Sequence, residues 1–488
     1  MPENSSPGRE TRQHPRVAVI GAGITGLAAA VRLADRLPGA ELAVFEAADR
    51  PGGVLQTVRR GGYLIERSAD NFLAKEPWAT DFCRRVGIAD GLLPTDQQRR
   101  KALVVRDGRV VPAPQGFVLM QPKRLGTVLR SPVLSWRGKL RLACEPCIPR
   151  RRAAGDESVA SFARRRLGRE AFERLVQPLL AGIYTADPEK LSMAATMPQF
   201  VEQEQSHGSL CRAAWREARE ANNAAAESES RESGARYGLF LAPREGIGQL
   251  VEAAAAQLAP GVLRVSSPVE SITPDDGGWV VAAAGAAAER FDAVVLTTPA
   301  HHAAEVVARA SPTLAAKLAE IEYAGCSVVG VAYLRSQVAA ELPGFGFVVP
   351  AVEGRRVIAV SFSSLKFPGR APDGQVLMRA FVGGALQPGL AELPDEELHK
   401  LVREELRALL GVIGNPLETE IARWPRGMPQ YHLGHLDHVD QIESLVAKLP
   451  GLELAGAAYR GVGVPQCIHG GEQAAERVAD SLAAGRVG

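Results

Sequence analysis

The stretch VAVIGAGITGLAAA, residues 17–30, constrains the fold more than any other part of this 488-residue chain. A β-branched run breaks into a glycine-rich turn, and the turn opens at once into small helix formers. With the break at Pro38-Gly39 and the run ELAVFE that follows, residues 16–46 read as a strand, a helix and a second, parallel strand. Gly21, Gly23 and Gly26 stand where the mechanism of a dinucleotide site needs them. The first permits the tight turn, the second lets a pyrophosphate approach the backbone, and the third lets helix and strand pack closely. The helix N-terminus then faces the phosphate charge. Glu46, twenty residues after Gly26, ends the second strand where a carboxylate accepts from ribose hydroxyls.

The residues after Glu46 separate one dinucleotide from another. EAADRPGGVLQT has the spacing E-x-x-x-R-x-G-G-x-x-x-T, placing Arg50, Gly52, Gly53 and Thr57 beside the ribose carboxylate. An arginine and a second glycine pair add donors suited to a longer, buried cofactor. This arrangement resembles the flavin-containing amine oxidase superfamily, whose members hold FAD. No second dinucleotide fingerprint for NAD(P)H follows, so the substrate itself is expected to be the reductant.

Three further stretches are similar to the protoporphyrinogen and coproporphyrinogen oxidase branch of that superfamily: LAGIYTADPEKLSM (180–193), RWPRGMPQYHLGH (423–435) and LAGAAYRGVGVPQCIHGGEQAAE (454–476). IERSADNFL (65–73) is similar to a fourth segment, and the resemblance runs from about residue 16 to 480. It implies oxidation of a porphyrinogen in haem synthesis by non-covalent FAD, in three two-electron steps, with molecular oxygen as acceptor and hydrogen peroxide as by-product. Protoporphyrinogen IX is the first reading of the substrate and coproporphyrinogen III the alternative.

Carried over by position, the resemblance implies cofactor contacts at Gly21, Ala22, Gly23, Ile24, Thr25 and Gly26, at Glu46 and Ala47, and at Arg50, Gly52 and Gly53. It implies others at Ser68, Ala69, Asp70 and Asn71, at Val269 toward the adenine, at Trp424, and at Gly456, Val462, Gly463 and Val464 near the flavin ring. Two departures stand out: Ala457 replaces the usual Asn or Asp after Gly456, and Gln466 replaces the common Asp after Pro465. The backbone of Ala181, Gly182 and Ile183 is expected against the substrate, with no acid or base assigned, although Gly182 reads equally well as a helix C-cap. Arg100 or Lys101 in QRRKALVVRDG is the expected partner for a substrate propionate; a basic surface turn is the alternative.

The fold class expected is α/β: a discontinuous Rossmann-like FAD domain from residues 16–80, 243–305 and 445–488, interrupted by a mainly helical, basic domain (81–215) and a strand-rich substrate domain (306–444). A disordered tail is expected over 1–15 and a mobile loop over 219–236, where REANNAAAESESRESGAR is polar and low in complexity. Between residues 81 and 170 stand 20 Lys and Arg against 8 Asp and Glu, a local +12 in a chain whose net charge is +2. The plainest reading is a solvated surface. The sharper readings are an acidic substrate, an anionic membrane surface, or a partner such as ferrochelatase or another haem-pathway enzyme that receives the porphyrin.

The first fifteen residues lack the apolar core of a secretory signal, and the uncharged stretch Val17–Val31 is too short to span a bilayer, so a cytoplasmic protein is expected, with peripheral attachment to the membrane's inner face as the extension. No nucleic-acid partner is expected. Six scattered cysteines read as reduced thiols, with Cys144 and Cys147 as a Cys-x-x-Cys lacking the second pair of a zinc site. The spacing of His432, His435 and His438 is metal-like, but no metal is expected there. Cys467 is read as a core residue and not as a covalent flavin tether. The rival readings are a polyamine or amino-acid oxidase, for which no cation-accepting aromatic cluster is evident in a chain with 5% aromatic residues, and a non-catalytic FAD-binding porphyrin carrier.

Overall fold

The computed structural model describes residues 14–96, 99, 101–123, 125–153, 155–225 and 240–484. The β-branched strand Arg16–Ile20 lies at the centre of a five-stranded sheet whose order is Leu263–Arg264, Glu41–Phe45, Arg16–Ile20, Ala293–Leu296, Leu452–Leu454. Every pairing is parallel, with Val17 opposite both Leu42 and Ala293. A parallel sheet must be covered on both faces, and the alternation of the central strand shows how. Val17 and Val19 face the helices Ile24–Arg36 and Val464–Ala484, while Ala18 and Ile20 join a second core with Trp279, Val307 and Ile442. The two helices touch backbone to backbone: a Cβ at Gly471 would stand 2.2 Å from the Thr25 carbonyl oxygen.

A second sheet has seven strands, in the order Glu418–Pro429, Tyr323–Leu334, Gln375–Gly383, Ala359–Ser361, Gly346–Val348, Leu103–Arg106, Arg109–Pro112. Its pairings are antiparallel except that Gly346–Val348 runs parallel to Leu103–Arg106. One face (Val329, Val331, Tyr333, Val376, Met378, Ala380) packs on the amphipathic helix Asp395–Leu410. The other meets the hairpin of Thr57–Arg60 and Tyr63–Glu66, where Leu377 and Ala332 bury Tyr63 and Ile65.

Two differences from the sequence reading have local causes. Residues 103–112, expected within a mainly helical stretch, form a hairpin at the edge of the seven-stranded sheet. Asp107 and Gly108 both have positive φ (49° and 73°), which a two-residue hairpin turn of Asp-Gly type demands, and LVVR-DG-RVVP carried that signal. The expected loop from 219 begins as helix, because Leu210–Ala225 is rich in Ala, Arg and Glu and continues to its end as one element. The remainder of that expected loop, residues 226–236, lies outside the described residues, as do residues 1–13 of the expected tail.

The rest of the 81–215 stretch is mainly helical, with short strands at Leu92–Pro94, Phe117–Val118 and Gln121–Pro122. Ser158 caps Val159–Leu167 by accepting from Ser161 N–H at 3.1 Å, and Phe162, Leu167, Phe172 and Leu180 share one core. Among the described residues no helix is long and apolar enough to cross a membrane.

Candidate functional site

At the C-terminal end of the central strand the chain turns at Gly21, whose φ of 101° suits glycine, and its N–H donates to Phe45 O at 2.8 Å. A Cβ at Gly26 would lie 1.9 Å from the Gly21 carbonyl oxygen, so the close approach of turn and helix depends on that hydrogen. Gly23 caps Ile24–Arg36 without any side-chain hydrogen bond, leaving first-turn N–H groups aimed outward as an anion site. A Cβ on Gly23 would meet no atom within 4 Å, so the floor is open above the turn.

Glu46 spans this turn: one carboxylate oxygen accepts from Ala22 N–H at 2.8 Å and the other from Ala48 N–H at 2.9 Å. Ala47 between them is exposed. Ser267 N–H donates to Glu46 O and Ser266 N–H to Ala48 O, each at 2.8 Å, which brings Val269 to the same end of the cradle. The second glycine pair closes the other side. Gly52 N–H donates to Ala22 O at 2.7 Å, a Cβ on Gly53 would stand 3.6 Å from Gly23 Cα, and Arg50 holds the loop through Gly53 O at 2.8 Å. Thr25 is buried in the first helical turn. A floor of glycines, an uncapped helix end and a carboxylate at the ribose position fit a dinucleotide.

Farther along, four segments converge. Trp424 Nε1 donates to Arg67 O at 2.8 Å, and Ser68 Oγ donates to Val54 O at 2.6 Å, joining the seven-stranded sheet to the Ser68–Asn71 loop. Tyr431 OH donates to Ala457 O at 2.6 Å and accepts from Gly461 N–H at 2.8 Å. The segment after Gly456 is thus anchored through backbone groups, which accounts for an alanine at 457. Gln466 folds back over the loop that carries Val462 and Gly463: a Cβ on Gly463 would meet Gln466 Oε1 at 2.3 Å, and one on Gly461 would meet its Cγ at 2.6 Å. Val464 opens the last helix.

Asp70 is the electrostatic centre of this junction. Its carboxylate pairs with Arg379 at 2.7 Å and Lys366 at 3.0 Å, and Asn71 donates to it as well. Burial alone raises a carboxyl pKa, but here the two cations and Asn71 outweigh it and hold Asp70 well below the usual carboxylate range. Arg379 also donates to Ser68 O at 2.6 Å, so one side chain of the seven-stranded sheet fixes both the backbone and the charge of the loop. Neither Lys366 nor Arg379 was singled out from sequence. An arginine inside QVLMRAFVG was the available signal, but its partner lies 309 positions away in the chain.

The expected substrate segment closes the helix Gln177–Tyr184. Gly182 is not its C-cap: Thr185 takes that place in the left-handed region (φ 49°) and donates to Ala181 O at 3.0 Å. Gly182 sits inside the last turn, where a Cβ would find Val348 Cγ1 at 3.7 Å, and Ile183 beside it is 42% exposed. Ala181 is buried and, with Thr185, Val349, Arg355 and Gly384, lines a small hollow of about 40 Å³. Phe381, opposite Ala359 and half-buried on the face that also carries Arg379, was missed by sequence reading because only the sheet register reveals which face it takes.

Lys101 is exposed, and its carbonyl accepts from Phe345 N–H at 3.3 Å at the start of the Gly346–Val348 strand. Arg100 lies outside the described residues. Gly182 faces Val348, the last residue of that strand. The structure gathers the residues from Gly21 to Gly53 with Glu46 and Val269 at one end, and Ser68–Asn71, Trp424 and Val462–Val464 at the other.

His435 Nε2 lies 2.8 Å from Tyr459 O and His438 Nε2 2.8 Å from Lys317 O, while the His432 ring faces the Glu322 carboxylate at 3.7 Å. Among the described residues no group of three metal-ligating side chains is assembled. Cys467 is buried against the first helix, and burial pushes its thiol up to about 11.

Residues 24–479 match the family of flavin containing amine oxidoreductases. The chain is 34% identical to a coproporphyrinogen III oxidase of Propionibacterium freudenreichii subsp. freudenreichii, across 96% of this chain and 92% of that one. It is 31% identical to protoporphyrinogen oxidase 1, chloroplastic, of Arabidopsis thaliana, across 94% and 87%. A crystal structure provisionally called a protoporphyrinogen oxidase, from Exiguobacterium sp. 255-15, superposes with a TM-score of 0.83 at 29% identity, covering 95% of this chain and 98% of that one.

Proposed function

The chain belongs to the family of flavin-containing amine oxidoreductases, and on that premise we propose that it oxidises a porphyrinogen to the porphyrin at an FAD held over the Gly21–Gly26 turn. It is an FAD-dependent oxidoreductase. Of the two substrates, coproporphyrinogen III comes first in this reading, because relatives of that name match over 92–99% of their own length at 30–34% identity. Protoporphyrinogen IX is the second, favoured by the plant relatives at 29–31% identity. FAD, when bound, supplies the acceptor for each pair of electrons, which pass to molecular oxygen as hydrogen peroxide.

The observation that carries the reading is the wall formed by Phe381, Val348 and the last turn of Gln177–Tyr184. It offers an apolar face to a broad ring, and the missing side chain at Gly182 lets the ring lie close to the helix backbone. Lys101, exposed at the start of the Gly346–Val348 strand, is the candidate partner for a propionate at the ring's edge. The residues named hold and orient; holding the reacting carbon in place is their contribution to rate.

The basic helical region supports peripheral attachment to an anionic membrane surface. Trp136 (68% exposed) and Leu140 (59% exposed) share one side of the helix Trp136–Ala143, with Arg137 beside them. Flotation with anionic liposomes tests this, and salt-insensitive or absent binding removes it. Docking of ferrochelatase, or another enzyme that receives the porphyrin, is the other use for this face.

The deciding experiment is anaerobic reduction of the bound flavin by coproporphyrinogen III and protoporphyrinogen IX in parallel. Fast bleaching by the first supports the reading, fast bleaching by the second alone reverses the order of substrates, and porphyrin binding without bleaching by either favours a carrier.

A further inference from the structure

The Cys144-Glu145-Pro146-Cys147 turn plays no part in the site above, and it is held from beneath by a buried carboxylate. Glu145 is fully buried, pairs with the equally buried Arg166, and accepts from Ser209 Oγ and from the N–H groups of Leu210 (2.9 Å) and Cys211 (3.1 Å). One carboxylate therefore ties the turn to Val159–Leu167 and to the first turn of Leu210–Ala225. Both flanking cysteines are free and exposed. Cys147 N–H donates to Cys144 O at 3.0 Å, closing a four-residue turn.

The two ends of such a turn have Cα atoms within about 7 Å, and a disulfide needs roughly 4.4–6.8 Å. We propose that Cys144 and Cys147 are a peroxide-responsive dithiol that closes to a disulfide on the surface of the helical region. The first thiolate attacks a peroxide oxygen, breaking the O–O bond and giving a sulfenic acid and water. The second attacks that sulfur, forming the S–S bond and releasing a second water. Two thiols lose two electrons and hydrogen peroxide gains them. That the peroxide comes from the flavin's own reoxidation by oxygen rests on the function proposed above; the dithiol's response to added peroxide does not.

The other four cysteines are poor competitors. Cys83, Cys211 and Cys467 are buried and Cys326 is half-buried, and burial raises each of their thiols above its usual range.

The test uses the tryptic peptide Leu142–Arg150, LACEPCIPR, which holds both cysteines and no other. The resting holoenzyme is treated with stoichiometric hydrogen peroxide, then alkylated and digested. The expected result is a peptide lighter than its reduced form by about 2 Da, a loss of two titratable thiols, and recovery of both with dithiothreitol. Cys144→Ser and Cys147→Ser each abolish the mass change; both sites are exposed, so the variants should fold. A peptide that stays reduced, or gains oxygen atoms irreversibly, overturns the proposal. Aerobic turnover with and without catalase forms a separate arm: no bleaching by porphyrinogen alongside a peroxide-formed disulfide means that the function reading failed and the dithiol stands.

Discussion

At the scale of single residues, the cradle rests on atoms that are absent. A methyl group at Gly26 collides with the Gly21 carbonyl at 1.9 Å and has no flexible neighbour to displace. Gly26→Ala should therefore yield protein with little bound flavin, read from the ratio of flavin to protein absorbance. Asp70 acts the other way, through a charge that is present. Asp70→Asn leaves Arg379 and Lys366 buried without their anion, and removing one partner of such a group costs roughly 3–5 kcal/mol. Because the folded carboxyl lies below its ordinary value, the unfolded chain binds more protons in acid. Its contribution is complete at neutral pH and declines as the pH falls below about 5. Denaturant midpoints should fall less steeply between about pH 5 and pH 3 in Asp70→Asn than in the parent. Lys101→Ala should raise KM for a porphyrinogen more than it lowers kcat, and unchanged kinetics would remove the propionate contact. The residues of the glycine turn were legible in sequence because backbone geometry demands them locally. The Asp70, Arg379 and Lys366 group was not, since a charge buried in one segment says nothing of which distant segment neutralises it.

At the scale of elements, the helix Gln177–Tyr184 shows how a cap assignment alters a functional argument. A glycine in a helical interior is unfavourable by about 1 kcal/mol relative to alanine. The Cβ of an alanine at 182 would sit in ordinary contact with Val348, at 3.7 Å. Gly182→Ala should thus keep or raise the thermal midpoint while raising KM for the porphyrinogen, and Gly182→Leu should raise KM further with flavin content unchanged. An unaltered KM in both would mean that no ring approaches this turn. The hairpin over 103–112 makes a related point. Its Asp-Gly turn and alternating valines were visible in the chain, but the strand it joins, Gly346–Val348, is some 240 residues downstream.

At the scale of the whole molecule, the five-stranded sheet draws strands from residues 16–45, 263–264, 293–296 and 452–454, so its stability depends on segments separated by the rest of the chain. The last helix packs Ala474, Ala475 and Val478 into the same core as Ala28, Ala29 and Val31 of the first. Ending the chain before Val464 exposes that core and removes the flavin-end loop's continuation. The expected product is insoluble or flavin-free protein, checked by gel filtration and flavin absorbance; a soluble, flavin-loaded fragment would refute this account of the core.

What the sequence determined by itself is what short-range geometry dictates: a strand, a glycine turn and a helix in the order of a dinucleotide site, the Glu46 position and the Ser158 cap. Each follows from steric limits on neighbouring residues or from the period of apolar side chains. Tertiary structure alone decided that Arg379 and Lys366 neutralise Asp70, that Gln466 fills the space over Gly461 and Gly463, that Tyr431 anchors the segment after Gly456, and that Phe381 shares the sheet face of Arg379. Those contacts join segments tens to hundreds of residues apart, and their partners are chosen by how the two sheets and the helical region close on one another, which no local pattern encodes.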